Sequence, residues 1–250
     1  PKLMTKRILR FCLLVLCVLA TRSYADVTGN YCSVNDKLEP ENKTNYLVLI
    51  DPSHNYSAEA KTLLGRGILQ IFMSLEDFDR LTVKVTDSAN RDGDRLLDLC
   101  MPACEDSSFF SCDSMRIRKD KLKFRNHLVK RSIEILSDTH VSKNFPDLIR
   151  TLNRVAKKFP SHTEIVVFSE MVHQSQEHKP QTESDFDNLF FHIVTNDQVP
   201  DLANLTMTVF GFTGDSTQDS VDKYELTRFW EEVFKLSGAE SFSISEKFVL

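Results

Sequence analysis

Tyr46-Leu-Val-Leu-Ile50 is an unbroken apolar run that ends at Asp51-Pro52, and Glu164-Ile-Val-Val-Phe168 is a second run of the same kind. A short apolar run closed by polar or turn residues is typical of a strand that is buried on both faces of a parallel sheet. The two runs therefore predict two adjacent, parallel strands at the centre of one sheet.

Further strands and amphipathic helices alternate along the chain on either side of these runs. Strands are predicted at Leu81–Val85 and Met207–Phe212, with an edge strand at Ser241–Val249. Helical spacing of apolar residues predicts helices at 57–75, 122–136, 147–156 and 224–236, the last capped by Gly238. Loops are expected at 87–121 and 173–188. The alternation predicts an α/β fold with a doubly wound, mostly parallel sheet and helices on both faces.

The N-terminal 25 residues have the pattern of an export signal. Lys6, Arg7 and Arg10 precede a wholly apolar run from Phe11 to Ala20, which is too short to span a bilayer. Ser23-Tyr24-Ala25 supplies small residues at the cleavage positions. An uncleaved anchor and a lipid-modified cysteine are the alternatives. The predicted organisation is a signal peptide at 1–25, an irregular lead-in at 26–45 and one domain at 46–250.

Net charge bears on the class of partner. The first 25 residues carry five basic and no acidic side chains, so their removal takes the net charge from −5 to −10. An acidic protein repels phosphate backbones, which disfavours nucleic acid as a partner. No later segment has the length of a transmembrane helix, and a protein is the expected partner.

Four cysteines remain after the predicted signal: Cys32, Cys100, Cys104 and Cys112. An even number of cysteines in an exported chain predicts two disulfides, with three connectivities open. A zinc site is the alternative, since Cys100 and Cys104 are close in sequence, but no second close pair or histidine accompanies them.

Polar residues follow both central strands, at the edge where an α/β sheet binds its ligands. Asp51 and Ser53 come after the first strand, and Ser169 and Glu170 come after the second. Oxygen ligands of this kind suit a hard cation such as Mg²⁺. The candidate metal ligands are therefore Asp51, Ser53 and Glu170, and capping or turn roles are the structural alternative.

These residues resemble the adhesion site of the von Willebrand factor A-like fold. The family's first loop has the pattern Asp-x-Ser-x-Ser, a Thr comes from a second loop and an Asp from a third. Asp51 and Ser53 match the first two places, Asn55 stands where the family has Ser, and Glu170 stands where it has Asp. Thr139 and Ser142 are both candidates for the Thr. The resemblance implies a degenerate metal-ion-dependent adhesion site in a binding module.

The chain is also similar to a group of exported bacterial proteins with this fold and no assigned activity. That similarity implies a fold and a periplasmic or secreted location. It is carried by four stretches: Leu47-Val-Leu-Ile-Asp-Pro-Ser53, Leu96-Leu-Asp-Leu-Cys-Met-Pro102, Val167-Phe-Ser-Glu-Met-Val-His-Gln-Ser175, and Phe229-Trp-Glu-Glu-Val-Phe234 before Gly238-Ala239.

Motifs of enzymes are few in this sequence. It contains no Gly-x-Ser-x-Gly elbow and no glycine-rich phosphate loop, and the whole chain has only 7 glycines. These features favour a binding module over an enzyme. The alternative is an envelope or secreted hydrolase in which Asp51 and Glu170 act as an acid/base pair.

Three further features have structural interpretations. His173 and His178 are interpreted as solvated residues of a polar loop, although their spacing would also allow a ligand pair. Trp230 is predicted to be a core residue. The basic residues between Lys119 and Arg131 are interpreted as the solvent-facing side of a helix.

Overall fold

A computed structural model describes most of the chain. The described residues are 26–38, 43–51, 58–85, 95–104, 113–137, 148–158, 163–169, 171, 182–210 and 223–245. The predicted signal segment, Ser53, Cys112, Glu170 and the two loop histidines lie outside them.

Six helices and six strands are present in the described residues. The strands are β1 (Asn45–Ile50), β2 (Arg80–Val85), β3 (Arg95–Cys100), β4 (Thr163–Phe168), β5 (Thr206–Phe210) and β6 (Ser241–Ser245). The helices are α1 (Asp26–Asn35), α2 (Ala58–Ser74), α3 (Ser114–Ser137), α4 (Leu148–Lys158), α5 (Glu183–Thr195) and α6 (Lys223–Leu236). None of these helices is both long enough and apolar enough to cross a membrane.

All six strands form one sheet in the order β3-β2-β1-β4-β5-β6. The β1 strand pairs in parallel with β2 on one side and with β4 on the other, with Tyr46 opposite Glu164 and Ile50 opposite Phe168. The β4–β5 and β5–β6 pairs are also parallel, whereas β2 and β3 are antiparallel. The prediction of two adjacent, parallel central strands is confirmed, and the sheet is mixed but mostly parallel.

Alternate residues of the central strands enter two separate apolar clusters, because side chains on a strand point in turn to its two sides. Leu47 and Leu49 pack with apolar side chains from α4, α5 and α6. Tyr46, Val48 and Ile50 pack with apolar side chains from α2 and α3. Both clusters include residues of β4, so this pair of strands lies between them.

The C-terminus of α6 has the predicted glycine cap. Gly238 has a φ of 70°, a left-handed conformation that glycine adopts without steric cost. Its N–H donates to the Lys235 carbonyl at 3.2 Å, and the Ala239 N–H donates to the Phe234 carbonyl at 3.4 Å. These two bonds form a Schellman motif, which ends the helix and directs the chain toward β6.

Three expectations about irregular segments were wrong. Residues 26–35 form the α1 helix where an irregular lead-in was expected. The segment expected to be a loop at 87–121 contains β3 and the first turns of α3. The α5 helix begins at Glu183, within the loop expected at 173–188.

The α1 helix is joined to the sheet by long-range contacts. A disulfide links Cys32 in α1 to Cys100 at the end of β3. The Asn35 side-chain amide donates to the Phe78 carbonyl at 2.7 Å. Arg80 on β2 pairs with Asp36 at 3.0 Å and with Asp98 on β3 at 2.8 Å. A weakly amphipathic sequence thus forms a helix because tertiary contacts hold it in place.

Cys104 is disulfide-bonded as well. The prediction of disulfides among Cys32, Cys100, Cys104 and Cys112 is therefore confirmed for the three described cysteines, and Cys112 lies outside the described residues. Disulfide formation is compatible with an exported protein.

Candidate functional site

The strand order reverses between β1 and β4. From β1 the chain continues outward to β2 and β3, whereas β4, β5 and β6 follow on the other side. In open α/β sheets this reversal separates the loops that leave the two strands and opens a crevice at their carboxyl ends. Asp51 directly follows β1 and Ser169 directly follows β4, so both lie at this point.

A buried hydrogen bond joins the two residues. The Ser169 hydroxyl donates to Asp51 Oδ2 at 2.6 Å. Asp51 is 4% exposed and Ser169 is 1% exposed, so a carboxylate and a hydroxyl are held beneath the surface at the sheet edge. The backbone hydrogen bonds between β1 and β4 extend to Asp51, because its N–H donates to the Phe168 carbonyl at 2.9 Å. Burying a carboxylate is costly unless hydrogen bonds stabilise it, as Ser169 does.

Met171 extends this network toward α6. Its N–H donates to Ser169 Oγ at 2.9 Å, and its carbonyl accepts the indole N–H of Trp230 at 2.8 Å. Met171 has a φ of 57°, which is uncommon for a residue with a Cβ. Such a conformation persists only where its surroundings hold it, and here two hydrogen bonds do so. A continuous chain of contacts therefore runs from Asp51 to the core residue Trp230.

The structure places the predicted site residues as follows. Asp51 lies at the carboxyl edge of the central strand, as expected, with Ser169 beside it. Ser53 and Glu170 lie outside the described residues, so their clustering with Asp51 stays a prediction. Within the described ranges, no group of three or more His, Cys, Asp or Glu residues is placed to hold a metal ion.

Sequence reasoning assigned Trp230 to the core and gave it no link to the site. Its ring is fully buried and contacts Phe229 and Phe234, which confirms the core prediction. The contact with the Met171 carbonyl joins residues that are 59 positions apart in the sequence. The sequence contains only a weak signal for this hydrogen bond. A tryptophan on the apolar side of a helix is buried, and its indole N–H then needs an acceptor.

A second titratable cluster lies at the opposite, amino-terminal edge of the sheet. Asp79 is 4% exposed, and burial raises its pKa although the backbone N–H groups of Thr44 and Glu76 donate to its carboxylate. Burial also raises the pKa of Glu164, and the negative charge of Asp79 raises it further, while a hydrogen bond with Tyr46 lowers it. Two carboxyl groups here thus favour the protonated state more than they do in an unfolded chain.

The Glu164→Gln variant is expected to be more stable than the wild type at neutral pH. Because the folded-state pKa of Glu164 is raised, its contribution to stability is fully present below the ordinary value of 4.5 and is lost as the pH rises through the folded pKa. Glutamine cannot ionise, so the variant does not lose stability in this way. Its gain in the free energy of unfolding over the wild type should be largest at pH 7 and should vanish near pH 4. Urea unfolding at several pH values measures it.

The exposed Glu240 provides a matched control. The Glu240→Gln variant makes the same change in net charge at a solvated position, where a surface substitution is expected to change the free energy of unfolding by less than about 0.5 kcal/mol. A Glu164→Gln variant that loses stability at pH 7 would show that the carboxylate is favourable there.

Comparisons with known proteins do not assign a family. No family model matches the chain, and no curated protein matches it. Among solved structures, the chain is similar to proximal thread matrix protein 1 from the mussel byssus, with a TM-score of 0.36 and 12% sequence identity. The match covers 82% of this chain and 42% of that chain. The α/β assignment therefore rests on the strand order and pairing described above.

Proposed function

We propose that this chain is an exported interaction module of the von Willebrand factor A type. It binds a protein partner at the carboxyl edge of its sheet, through a degenerate metal-ion-dependent adhesion site. The observation that carries the proposal is the buried Asp51–Ser169 pair, which lies where the strand order reverses.

The topology supports a doubly wound arrangement. Four of the five strand pairs are parallel, and β3 is an antiparallel edge strand. The two apolar clusters support helices on both faces, with α2 and α3 covering one face and α4, α5 and α6 covering the other. Covering a parallel sheet on both sides leaves its carboxyl edge as the accessible place for a ligand.

The available side chains fit a hard cation. Asp51 and Ser169 supply a carboxylate and a hydroxyl, and Mg²⁺ prefers oxygen ligands of this kind. Ser53 and Glu170 are the further proposed ligands, since each follows one of the two central strands closely in the sequence. A bound cation would present a positive charge to an acidic group of the partner protein. The disulfide between Cys32 and Cys100 supports an oxidising location for this contact.

Magnesium is expected to raise the melting temperature of the wild-type protein. A ligand that binds only the folded state adds about 2.7 kcal/mol at a hundredfold excess over its dissociation constant. For a domain of this size that corresponds to roughly 5–10 °C. The Asp51→Asn variant retains an acceptor for the Ser169 hydroxyl but lacks the charge, so it should lose the increase. Differential scanning calorimetry with and without Mg²⁺ measures both.

Asp197→Asn is the control for this experiment. Asp197 is exposed and has a φ of 54°, a conformation that asparagine tolerates, so this variant should keep the full Mg²⁺ response. A melting temperature that does not change across millimolar Mg²⁺ would remove the cation from the proposal. If a partner protein binds the wild type and Asp51→Asn equally well, its binding site does not lie at the carboxyl edge of the sheet.

A further inference from the structure

The α3 helix has a charge opposite to that of the whole protein. Its 24 residues include eight lysines and arginines and two acidic residues, in a chain with a net charge of −5. The helix is about 36 Å long, at a rise of about 1.5 Å per residue. Its positive charge is therefore spread along one extended element.

The exposed side of α3 combines basic and apolar side chains. Met115, Arg118, Leu122 and Arg125 recur at helical spacing on the side opposite to the buried Phe124. Met115 is 80% exposed and Leu122 is 46% exposed. The exposed side of α3 thus presents apolar side chains and cations together along one stripe.

The α2 helix extends this surface. Phe72 on α2 stacks on Phe124 of α3, with ring centroids 5.5 Å apart, and both helices bury their apolar sides in the same cluster. The opposite side of α2 carries Arg66, Leu69 and Met73, of which Met73 is 81% exposed. The α2/α3 surface is defined here as the exposed residues Arg66, Leu69, Met73, Met115, Arg118, Lys119, Leu122 and Arg125.

Several cations of this surface make no ion pair within the described part of the chain. Lys121 and Lys123, at its border, pair with Asp77 and Asp120. Arg118, Lys119 and Arg125 have no such partner among the described residues. Their charge is therefore available to an external anion.

We propose that the α2/α3 surface docks the protein onto an anionic lipid bilayer. The two helices lie flat on the membrane, their arginine and lysine side chains contact lipid phosphates, and Met115 and Leu122 enter the boundary between headgroups and acyl chains. This peripheral contact is separate from the carboxyl edge of the sheet, so it does not depend on the proposed function.

The distribution of side chains favours a lipid surface over a protein. Interfaces between proteins gather their apolar residues into a central patch with a polar rim. On the α2/α3 surface Leu69, Met115 and Leu122 each have a cation three or four positions away, whereas Met73 has Glu76 and Asp77 there. The alternation of cations and apolar side chains along α3 suits a bilayer, where every point of contact meets both headgroups and acyl chains. A second copy of the chain docked through the same surface would bring like charges together.

Co-sedimentation with vesicles tests this proposal. The full mature chain should bind vesicles of phosphatidylcholine and phosphatidylglycerol, should not bind phosphatidylcholine alone, and should be released by salt because screening weakens exposed charges. The Arg118→Glu/Lys119→Glu/Arg125→Glu variant should lower the partition coefficient at least about tenfold, since each basic residue contributes at the membrane surface. Replacing Met115 and Leu122 with glutamine should weaken binding that remains at high salt.

The matched control is Lys157→Glu/Lys158→Glu/Lys235→Glu, which makes the same change in net charge at exposed positions of α4 and α6. It should bind vesicles much as the wild type does. Circular dichroism confirms that each variant is folded. No binding to anionic vesicles, or equal losses in the two triple variants, overturns the proposal. Tighter binding to polyglutamate than to vesicles, with the same sensitivity to the α3 substitutions, would instead assign the surface to an acidic protein.

Discussion

Replacing both Cys32 and Cys100 with serine is expected to lower the free energy of unfolding by about 4 kcal/mol. The disulfide joins residues that are 68 positions apart, and closing a loop of that length removes much of the entropy of the unfolded chain. For a domain of this size the melting temperature should fall by roughly 8–16 °C. Thermal unfolding of the variant beside the wild type measures the change.

The disulfide of Cys104 gives an internal comparison. We expect Cys112 to be its partner, because it is the only other cysteine after the predicted signal, and that loop spans only eight positions. Replacing Cys104 and Cys112 with serine should cost less, about 2.5 kcal/mol, because a short loop loses less entropy. Peptide mapping under non-reducing conditions tests the pairing. Equal costs for the two pairs of substitutions would contradict the loop-length explanation.

Replacing Trp230 with alanine is expected to cost about 3–5 kcal/mol. The indole is fully buried between Phe229 and Phe234, so its removal leaves a cavity in the cluster formed by α4, α5 and α6. It also removes the donor to the Met171 carbonyl. Equilibrium urea unfolding, followed by circular dichroism, gives the loss. A cost below about 1 kcal/mol would show that the cluster closes around the vacant volume.

Two conservative variants separate packing from the hydrogen bond. Trp230→Phe fills most of the space but leaves the Met171 carbonyl without this donor, at a cost of about 1–3 kcal/mol. Phe234→Leu trims the same cluster and keeps the bond. If the chain of contacts from Trp230 holds the candidate site, Trp230→Phe should reduce the stabilisation by Mg²⁺ and Phe234→Leu should not. Equal responses would limit Trp230 to a role in the core.

The sheet was largely predictable because its central strands are apolar on both faces. The runs at 46–50 and 164–168 lie within one residue of β1 and β4, and their relative direction and adjacency were also correct. A short, continuous apolar run between turn residues is compatible with few structures other than a buried strand. The helices α2, α4 and α6 were found for a similar reason: each has a clear apolar side.

The elements that were missed depend on contacts outside their own sequence. The edge strand β3 pairs with one neighbour only and carries Asp98, whose carboxylate binds Arg80 and Thr82. The polar first turn of α5 obscured its start. A signal was present there, because the Thr182 hydroxyl accepts the Asp185 N–H while the Asp185 carboxylate accepts the Thr182 N–H, a reciprocal pattern that marks a helix N-terminus.

The candidate site was predictable as a location and only partly as a set of contacts. Topology alone places Asp51 at the carboxyl edge of a central strand. The choice of Ser169 as its hydrogen-bond partner depends on the alignment of β1 with β4, in which Ile50 lies opposite Phe168. The left-handed conformation of Met171 has no signal in the sequence, since methionine does not favour it.

The order of the strands also affects when the protein folds. The β1 and β4 strands are neighbours in the sheet, but Asp51 and Ser169 are 118 positions apart in the chain. Pairings between segments so distant in sequence form slowly, because a long loop must close first. The central strand β1 therefore has no partner on one side until β4 has been synthesised. The centre of the sheet is therefore completed only after about two thirds of the 250 residues have been synthesised, because β4 ends at Phe168.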